Sequence, residues 1–204
     1  MVWTSYGRRI QNIVKILFAG KYCKNLSLEK FKEYEHVSIG EYDDYNPHLK
    51  SSDIIISYGY GNIFKNKALN KKIFNIHPSV LPYGRGLNPL VWSIYYGHPI
   101  GYTIYQINSN RIDEGFIYSS KEIKYDLNQT FKDLFIKVTK SAEDDFIKNF
   151  KEYFNNQSYE EIKDEENLHY KNKNDSKIIM KYLKDGWNTK IVDFLEYTKN
   201  KNLY

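Results

Sequence analysis

The chain has 204 residues, is 41% hydrophobic and 27% charged, and carries a formal net charge of +5. That length builds one well-buried core with at most a short appendage, and no stretch reaches the roughly 18 consecutive apolar residues that a membrane helix needs, so no membrane partner is expected. The charge comes from scattered lysines, which suits an anionic small ligand and points away from nucleic acid, whose partners usually carry a concentrated basic patch.

In chain order, Ile13 to Ala19 is a short apolar run ending at Gly20, as in a buried strand of a parallel sheet. No G-x-G-x-x-G follows, so the dinucleotide fingerprint is missing. Residues 27–35 predict a short helix with Ser27 as its cap, and Val37 to Ile39 a second strand. Ile54 to Ile56 predicts a third strand opening into the loop Ser57 to Ile63, residues 65–71 a brief helix, and Ile73 to Ile76 a fourth strand ending at His77 and Pro78. Asn88 followed by Pro89 reads as a helix start, with Gly97 as its stop. Gly101 to Ile107 and Phe116 to Ile123 have strand character. The T-x-x-D at Thr130 opens a helix with Phe131, Leu134, Phe135 and Val138 on one face, continuing through Phe150 and Phe154 after a bend. Residues 156–175 read as loop, and two amphipathic pieces follow around Ile178 to Leu183 and Ile191 to Tyr197. Strands alternating with helical or loop segments give an α/β, Rossmann-like, mostly parallel sheet. Residues 1–155 form the expected catalytic domain and 156–204 a helical C-terminal appendage.

Ligands of such sheets bind beyond the carboxyl ends of the strands, where the 57–63 and 75–86 loops lie. Four of the five prolines fall between Phe74 and Gly115, together with Asn75, His77 and Asp113. Turn-formers gather where backbone makes tight corners around a site. Asn75 and His77 are two apart at a strand end, so their side chains face the same way. Asn offers a neutral donor, His an acid or a positive charge, and Asp either a counter-charge for His or a proton acceptor. An amide and an imidazolium aimed at one point make an oxyanion site. Ser79 lacks the G-x-S-x-G elbow of an activated serine, so direct acyl transfer between two bound substrates fits better than a covalent intermediate. Bland readings stand beside these. A His before Pro is often only a turn residue, Asp113 before Glu114 and Gly115 can be an ordinary turn aspartate, and Arg85 between glycines can simply pair with a carboxylate. His36, His48, His77, His98 and His169 are scattered without ligand spacing, so no metal is expected.

Taken together, N-I-H-P-S-V-L-P-Y-G-R-G, N-P-L-V-W-S-I, G-Y-T-I-Y-Q-I and I-D-E-G, in this order, resemble the formyltransferases that use N10-formyltetrahydrofolate. The resemblance covers roughly Ile13 to Ile123 and is strongest over 73–115. It implies a formyltransferase fold with catalytic Asn75, His77 and Asp113: Asn75 and His77 stabilise the oxyanion, while Asp113 keeps His77 charged and helps move protons. The folate co-substrate would be held mainly by backbone around Tyr58, Gly59, Tyr60 and Ile63 and by Arg111 and Ile112. The acceptor would meet Ser79, Tyr83, Gly84 and Arg85.

Within that family the R-G-x-x-P-x-x-W-S run at Arg85 to Ser93 is most similar to sugar N-formyltransferases, which act on a nucleotide-linked amino-deoxy sugar. Methionyl-tRNA formyltransferases share part of the motif but carry a substantial C-terminal RNA-binding domain, and glycinamide ribonucleotide formyltransferases usually lack the run. A catalytically silent nucleotide-sugar or folate-binding module is the non-enzymatic alternative. The expected partners are therefore folate and a nucleotide-linked amino sugar, with a homodimer through the aromatic-rich tail left open. The lone Cys23 excludes an intramolecular disulfide, and M-V-W-T-S-Y-G-R-R-I shows no apolar signal core, so a cytoplasmic location is expected.

Overall fold

A computed structural model describes residues 13–156, 160–162, 170–201 and 203. The initial M-V-W-T segment and His169, both used above, lie outside the described residues. A seven-stranded sheet runs in the order β2-β1-β3-β4-β5-β6-β7. Its strands are β1 (Lys15–Ala19), β2 (Glu35–Ile39), β3 (Ile54–Ser57), β4 (Lys72–His77), β5 (Gly101–Ile107), β6 (Gly115–Glu122) and β7 (Glu160–Glu161). The first four pair in parallel, and β4 through β7 pair antiparallel. The α/β reading is correct.

Both faces of the parallel half are covered, which explains why β1 and β3 are nearly continuous apolar runs. Ile16, Phe18, Ile54, Ile56, Phe74 and Ile76 face one core, whereas Leu17, Ala19, Ile55 and Ile73 face a smaller one on the opposite side. By contrast, β2 is an exposed edge whose Glu35 meets Lys15 in an ion pair of 2.9 Å. A charged edge discourages pairing with another chain.

The long helix α2 (Phe131–Asn155) lays Phe131, Leu134, Val138, Ala142, Phe146 and Phe150 on the larger core. Thr130 Oγ1 accepts from the Asp133 backbone N–H, and Asp133 answers by accepting from the Thr130 N–H, so the capping box forms as the sequence indicates. The helix runs as one element over 25 residues, through Phe150 and Phe154. Alternation of apolar residues at helical spacing is sustained for 25 residues, and no Pro or Gly interrupts it.

Three expectations need correction. Ser27 caps no helix: it stands at φ 49° between the 3₁₀ turns Cys23–Leu26 and Leu28–Phe31, and its side chain makes no cap bond. Pairing of Glu35 to Ile39 with β1 ends any helix well before residue 35. Asn88 does precede α1 (Pro89–Tyr96), but at φ 55°, and its amide donates to Ser176 Oγ at 2.6 Å instead of capping. Asn tolerates that left-handed backbone better than most residues. The 156–175 stretch is not all loop, because it holds β7 and the start of α3 (Lys173–Met180). The signal missed there is the capping box of Asn172 and Asp175.

After α3, a turn at Gly186–Asn188 leads to α4 (Ile191–Thr198). Ile179, Leu183, Ile191 and Phe194 enter the same core as α2, and the Phe194 ring meets Phe131 edge-on at 5.1 Å. The C-terminal helices are therefore packed on the sheet domain.

Inside this core, Asp145 ties α2 to the antiparallel strands. It accepts from Tyr102 Oη (2.8 Å), Ser119 Oγ (2.7 Å) and Tyr153 Oη (2.9 Å), and pairs with Lys121 at 3.0 Å. Burial works against its charge, but these donors outweigh burial and bring its carboxyl from 3.8 down to about 2. A depressed folded value contributes stability above pH 3.8, and that contribution is lost as pH falls through about 2. Asp145→Asn is expected to lower stability by about 2 kcal/mol at pH 7. It should also flatten the rise in stability between pH 2 and 4, checked by urea unfolding at several pH values.

Candidate active site

A cavity of about 470 Å³ opens at the carboxyl ends of the parallel strands, where β4 turns from a parallel to an antiparallel neighbour. Its size falls within the range of small-molecule sites, and its place is where open α/β sheets bind ligands. Asn75, His77 and Asp113 all line it, although Asp113 comes from the β5–β6 connection.

Alternation along β4 puts Asn75 and His77 on one face, together with Ile73. The strand register sets Asn75 directly opposite Tyr105 and His77 opposite Thr103. Thr103 Oγ1 donates to the Ser79 carbonyl and accepts from the Leu81 N–H, which pins the turn that follows His77. His77 Nε2 is 3.0 Å from the Gly84 carbonyl. A carbonyl only accepts, so Nε2 carries the hydrogen. On the other side Nδ1 lies 3.6 Å from Asp113 Oδ1, an ion-pair distance longer than a hydrogen bond. The imidazolium is the form that presents an N–H in both directions, and its Nδ1–H is not tied to Asp113 by a short bond.

Asp113 is fixed elsewhere. Its Oδ2 accepts from the Gly86 N–H at 2.6 Å, its Oδ1 accepts from Tyr105 Oη at 2.9 Å, and its backbone sits at φ 53°. Asn75 Nδ2 donates to the same Tyr105 hydroxyl at 2.9 Å. Tyr105 was not singled out by sequence reasoning. One tyrosine of twenty carries no signal until the strand register is known.

The predicted folate-side residues line the same cavity, but mostly by backbone. Tyr58 points its ring inward, is 1% exposed, and donates its hydroxyl to Glu143 at 3.1 Å. Burial, then the Glu143 charge, pushes that hydroxyl well above the usual tyrosine range. The Tyr60 hydroxyl donates to the Asp43 carbonyl at 2.6 Å, with its ring stacked on Phe64. With both side chains committed to the protein, the loop at Gly59 presents main chain to the cavity. Ile63 is exposed at the rim. Arg111 pairs with Glu114 at 2.9 Å, while the Ile112 carbonyl accepts from Arg85 Nε at 3.0 Å.

None of the four predicted acceptor contacts lies on the cavity wall. Ser79 is fully buried and donates its hydroxyl to the Tyr83 carbonyl at 2.8 Å. Gly84 supplies the carbonyl behind His77, Tyr83 packs its ring on His98 at 4.6 Å, and Arg85 is buried against Ile112 and Glu114. These four build the turn that holds His77 and Asp113. Gly86, Leu87, Tyr170, Lys171, Lys173 and Trp187 also line the cavity, three segments that sequence reasoning did not connect. Leu87 N–H donates to the Lys171 carbonyl, and Lys171 N–H to the Arg85 carbonyl, at 2.8 and 2.9 Å. Gly86 is required there. It stands at φ 88°, and a Cβ would lie 2.3 Å from the Lys171 carbonyl oxygen.

Among the described residues no group of three His, Cys, Asp or Glu side chains is arranged to hold a metal, and no helix is long and apolar enough to cross a membrane. An amide, an imidazole and a carboxylate converging at the strand ends define an α/β protein equipped for group transfer at a carbonyl carbon. Residues 9–150 match the Formyl transferase family, and the chain belongs to that family.

Among solved structures, the formyltransferase PseJ from Anoxybacillus kamchatkensis, in complex with UDP-4,6-dideoxy-4-formamido-L-AltNAc and tetrahydrofolate, is similar with a TM-score of 0.76 and 27% identity. The match covers 88% of this chain and 97% of that one. A sugar N-formyltransferase from Shewanella sp. FDAARGOS_354 shares the fold at TM-score 0.69 and 22% identity, over 93% of this chain and 90% of that one. In sequence, methionyl-tRNA formyltransferase of Sulfurimonas denitrificans is 32% identical over 106 residues, covering 50% of this chain. The chain spans about a third of that relative's length, 35%.

Proposed function

We propose that this protein transfers the formyl group of N10-formyltetrahydrofolate to the amino group of a nucleotide-linked amino-deoxy sugar. The observation that carries this reading is the likeness to a formyltransferase in complex with a UDP-linked formamido sugar, over 88% of this chain and 97% of that one. The sequence relatives named methionyl-tRNA formyltransferase align over only part of their own length. Residues 1–155 carry the chemistry on this reading, and 156–204 completes the acceptor side.

The cavity fits the folate co-substrate: it is roomy, and its Tyr58 to Ile63 wall offers main chain because the tyrosine side chains are engaged elsewhere. The co-substrate supplies the formyl carbon. Asn75 Nδ2 and the His77 imidazolium offer N–H groups to the carbonyl oxygen as it gains negative charge. Asp113 faces His77 as the counter-charge and stands ready to take a proton from the acceptor amine. The acceptor amine loses one N–H and gains a bond to the formyl carbon, the bond from that carbon to N10 of the folate breaks, and N10 leaves with the proton. Lys173, at the start of α3 on the cavity wall, suits the phosphates of a nucleotide-linked acceptor, whereas the Lys171 ammonium is held by the Tyr96 hydroxyl and the Trp92 ring.

The test is a turnover assay with N10-formyltetrahydrofolate against UDP- and dTDP-linked 3-amino and 4-amino sugars, glycinamide ribonucleotide and charged initiator tRNA. Formylation of one amino sugar is expected. Turnover confined to tRNA would move the protein to the activity named for its sequence relatives, and silence across the panel would overturn the proposal.

A further inference from the structure

We infer that Tyr105 is a positioning residue whose hydroxyl orients the Asn75 amide by linking it to Asp113. The inference rests on the transfer reading above for its kinetic consequences, but not for its geometry.

The Tyr105 hydroxyl has one hydrogen and two close polar neighbours, Asn75 Nδ2 and Asp113 Oδ1, each at 2.9 Å. An ionised carboxylate only accepts, so the hydrogen goes to Asp113. The hydroxyl oxygen is then left as an acceptor towards Asn75, and the amide must present its NH₂ end. With the amide flipped, its oxygen would face the tyrosine oxygen lone pair to lone pair. One direction of hydrogen bonding therefore satisfies all three groups: Asn75 N–H to Tyr105 oxygen, Tyr105 O–H to Asp113.

The second N–H of the amide stays available on a residue that lines the cavity. Without the tyrosine, an asparagine offers either end, and half of its orientations aim an oxygen where a donor is needed. Tyr105 is well placed for this work. It is 1% exposed, and it is paired with Asn75 across β4 and β5. Burial, then the charge of Asp113, pushes its hydroxyl far above the usual tyrosine range, so it keeps the proton that the linkage needs.

The experiment is a double-mutant cycle with Tyr105→Phe and Asn75→Ala, read as kcat and KM for both substrates. Tyr105→Phe is expected to lower kcat about 10- to 100-fold, the scale of a misplaced catalytic group, with KM within about twofold. In the Asn75→Ala background the same change is expected to cost less than about threefold, because the group it orients is gone. Equal losses in both backgrounds would overturn the inference, since a purely structural tyrosine costs the same in each.

A measurement on the wild-type chain needs neither turnover nor a folded Tyr105 variant. In ¹⁵N-labelled protein, the Asn75 side-chain amide, assigned by its disappearance in Asn75→Ala, should show one slowly and one rapidly exchanging proton. Two equally fast protons would overturn the inference even if no acceptor is ever turned over. A protected proton in a protein silent across the substrate panel would sink the transfer reading and leave this linkage standing.

Discussion

An Asp113→Asn variant should turn over about 10³- to 10⁴-fold more slowly than the wild type, the scale seen when a carboxylate that orients a catalytic histidine is replaced by its amide. The fold should tolerate the change. Asn is one of the few residues at ease at a left-handed position such as φ 53°, and it has nearly the same shape. The damage is in the direction of the hydrogen bonds. The Gly86 N–H, 2.6 Å from Oδ2, can only donate, so the new amide must turn its oxygen there. Its NH₂ then faces the Tyr105 hydroxyl and the His77 Nδ1 edge. The tyrosine hydrogen loses its acceptor, the grip on Asn75 loosens, and the imidazolium loses its counter-charge. The measurement is kcat and KM with the acceptor identified in the panel, beside a thermal melt. A kcat within about tenfold of the wild type would show that Asp113 holds the loop without taking part in transfer.

Much of this site was legible in the sequence, for identifiable reasons. Asn75 and His77 are fixed by a period-two rule at the end of an apolar run, so their shared face follows from local pattern alone. The parallel half of the sheet announces itself through Ile16 to Ala19 and Ile54 to Ile56, which are too apolar for a strand with a wet face. The Thr130 capping box is equally local.

What stayed hidden depends on pairings between distant segments. Tyr105 matters because β5 runs antiparallel to β4 in one register, and a slip of one residue would turn it to the other face. Gly86 looks like one more turn glycine until Lys171 is found against it. Ser79, Tyr83, Gly84 and Arg85 lie in the densest part of the motif, and the family resemblance implies that they meet the acceptor. The chain folds this segment back beneath His77 and Asp113 and makes it their support. Dense motif residues can be the frame of a site while its walls come from far along the chain, here from Tyr170 to Lys173 and from Trp187.

His77 carries the second large effect, and two substitutions separate its structural duty from its chemical one. His77→Ala removes the donor to the Gly84 carbonyl and the charge together, and is expected to lower kcat about 10³-fold. Some of that loss would come from slackening of the 79–84 turn, since the Gly84 carbonyl would keep only the long 3.5 Å contact from Ser79 Oγ. His77→Gln tests the remainder. Its side-chain amide is long enough to donate to the same carbonyl but carries no charge and moves no proton. If His77 acts on the reacting carbonyl, the Gln variant should stay close to the Ala variant in kcat, keep the wild-type melting temperature, and still be stabilised by tetrahydrofolate. If Gln instead restores most of the activity, the residue serves the turn alone. The charge at the site would then have to be supplied by the cavity wall, where Lys173 stands.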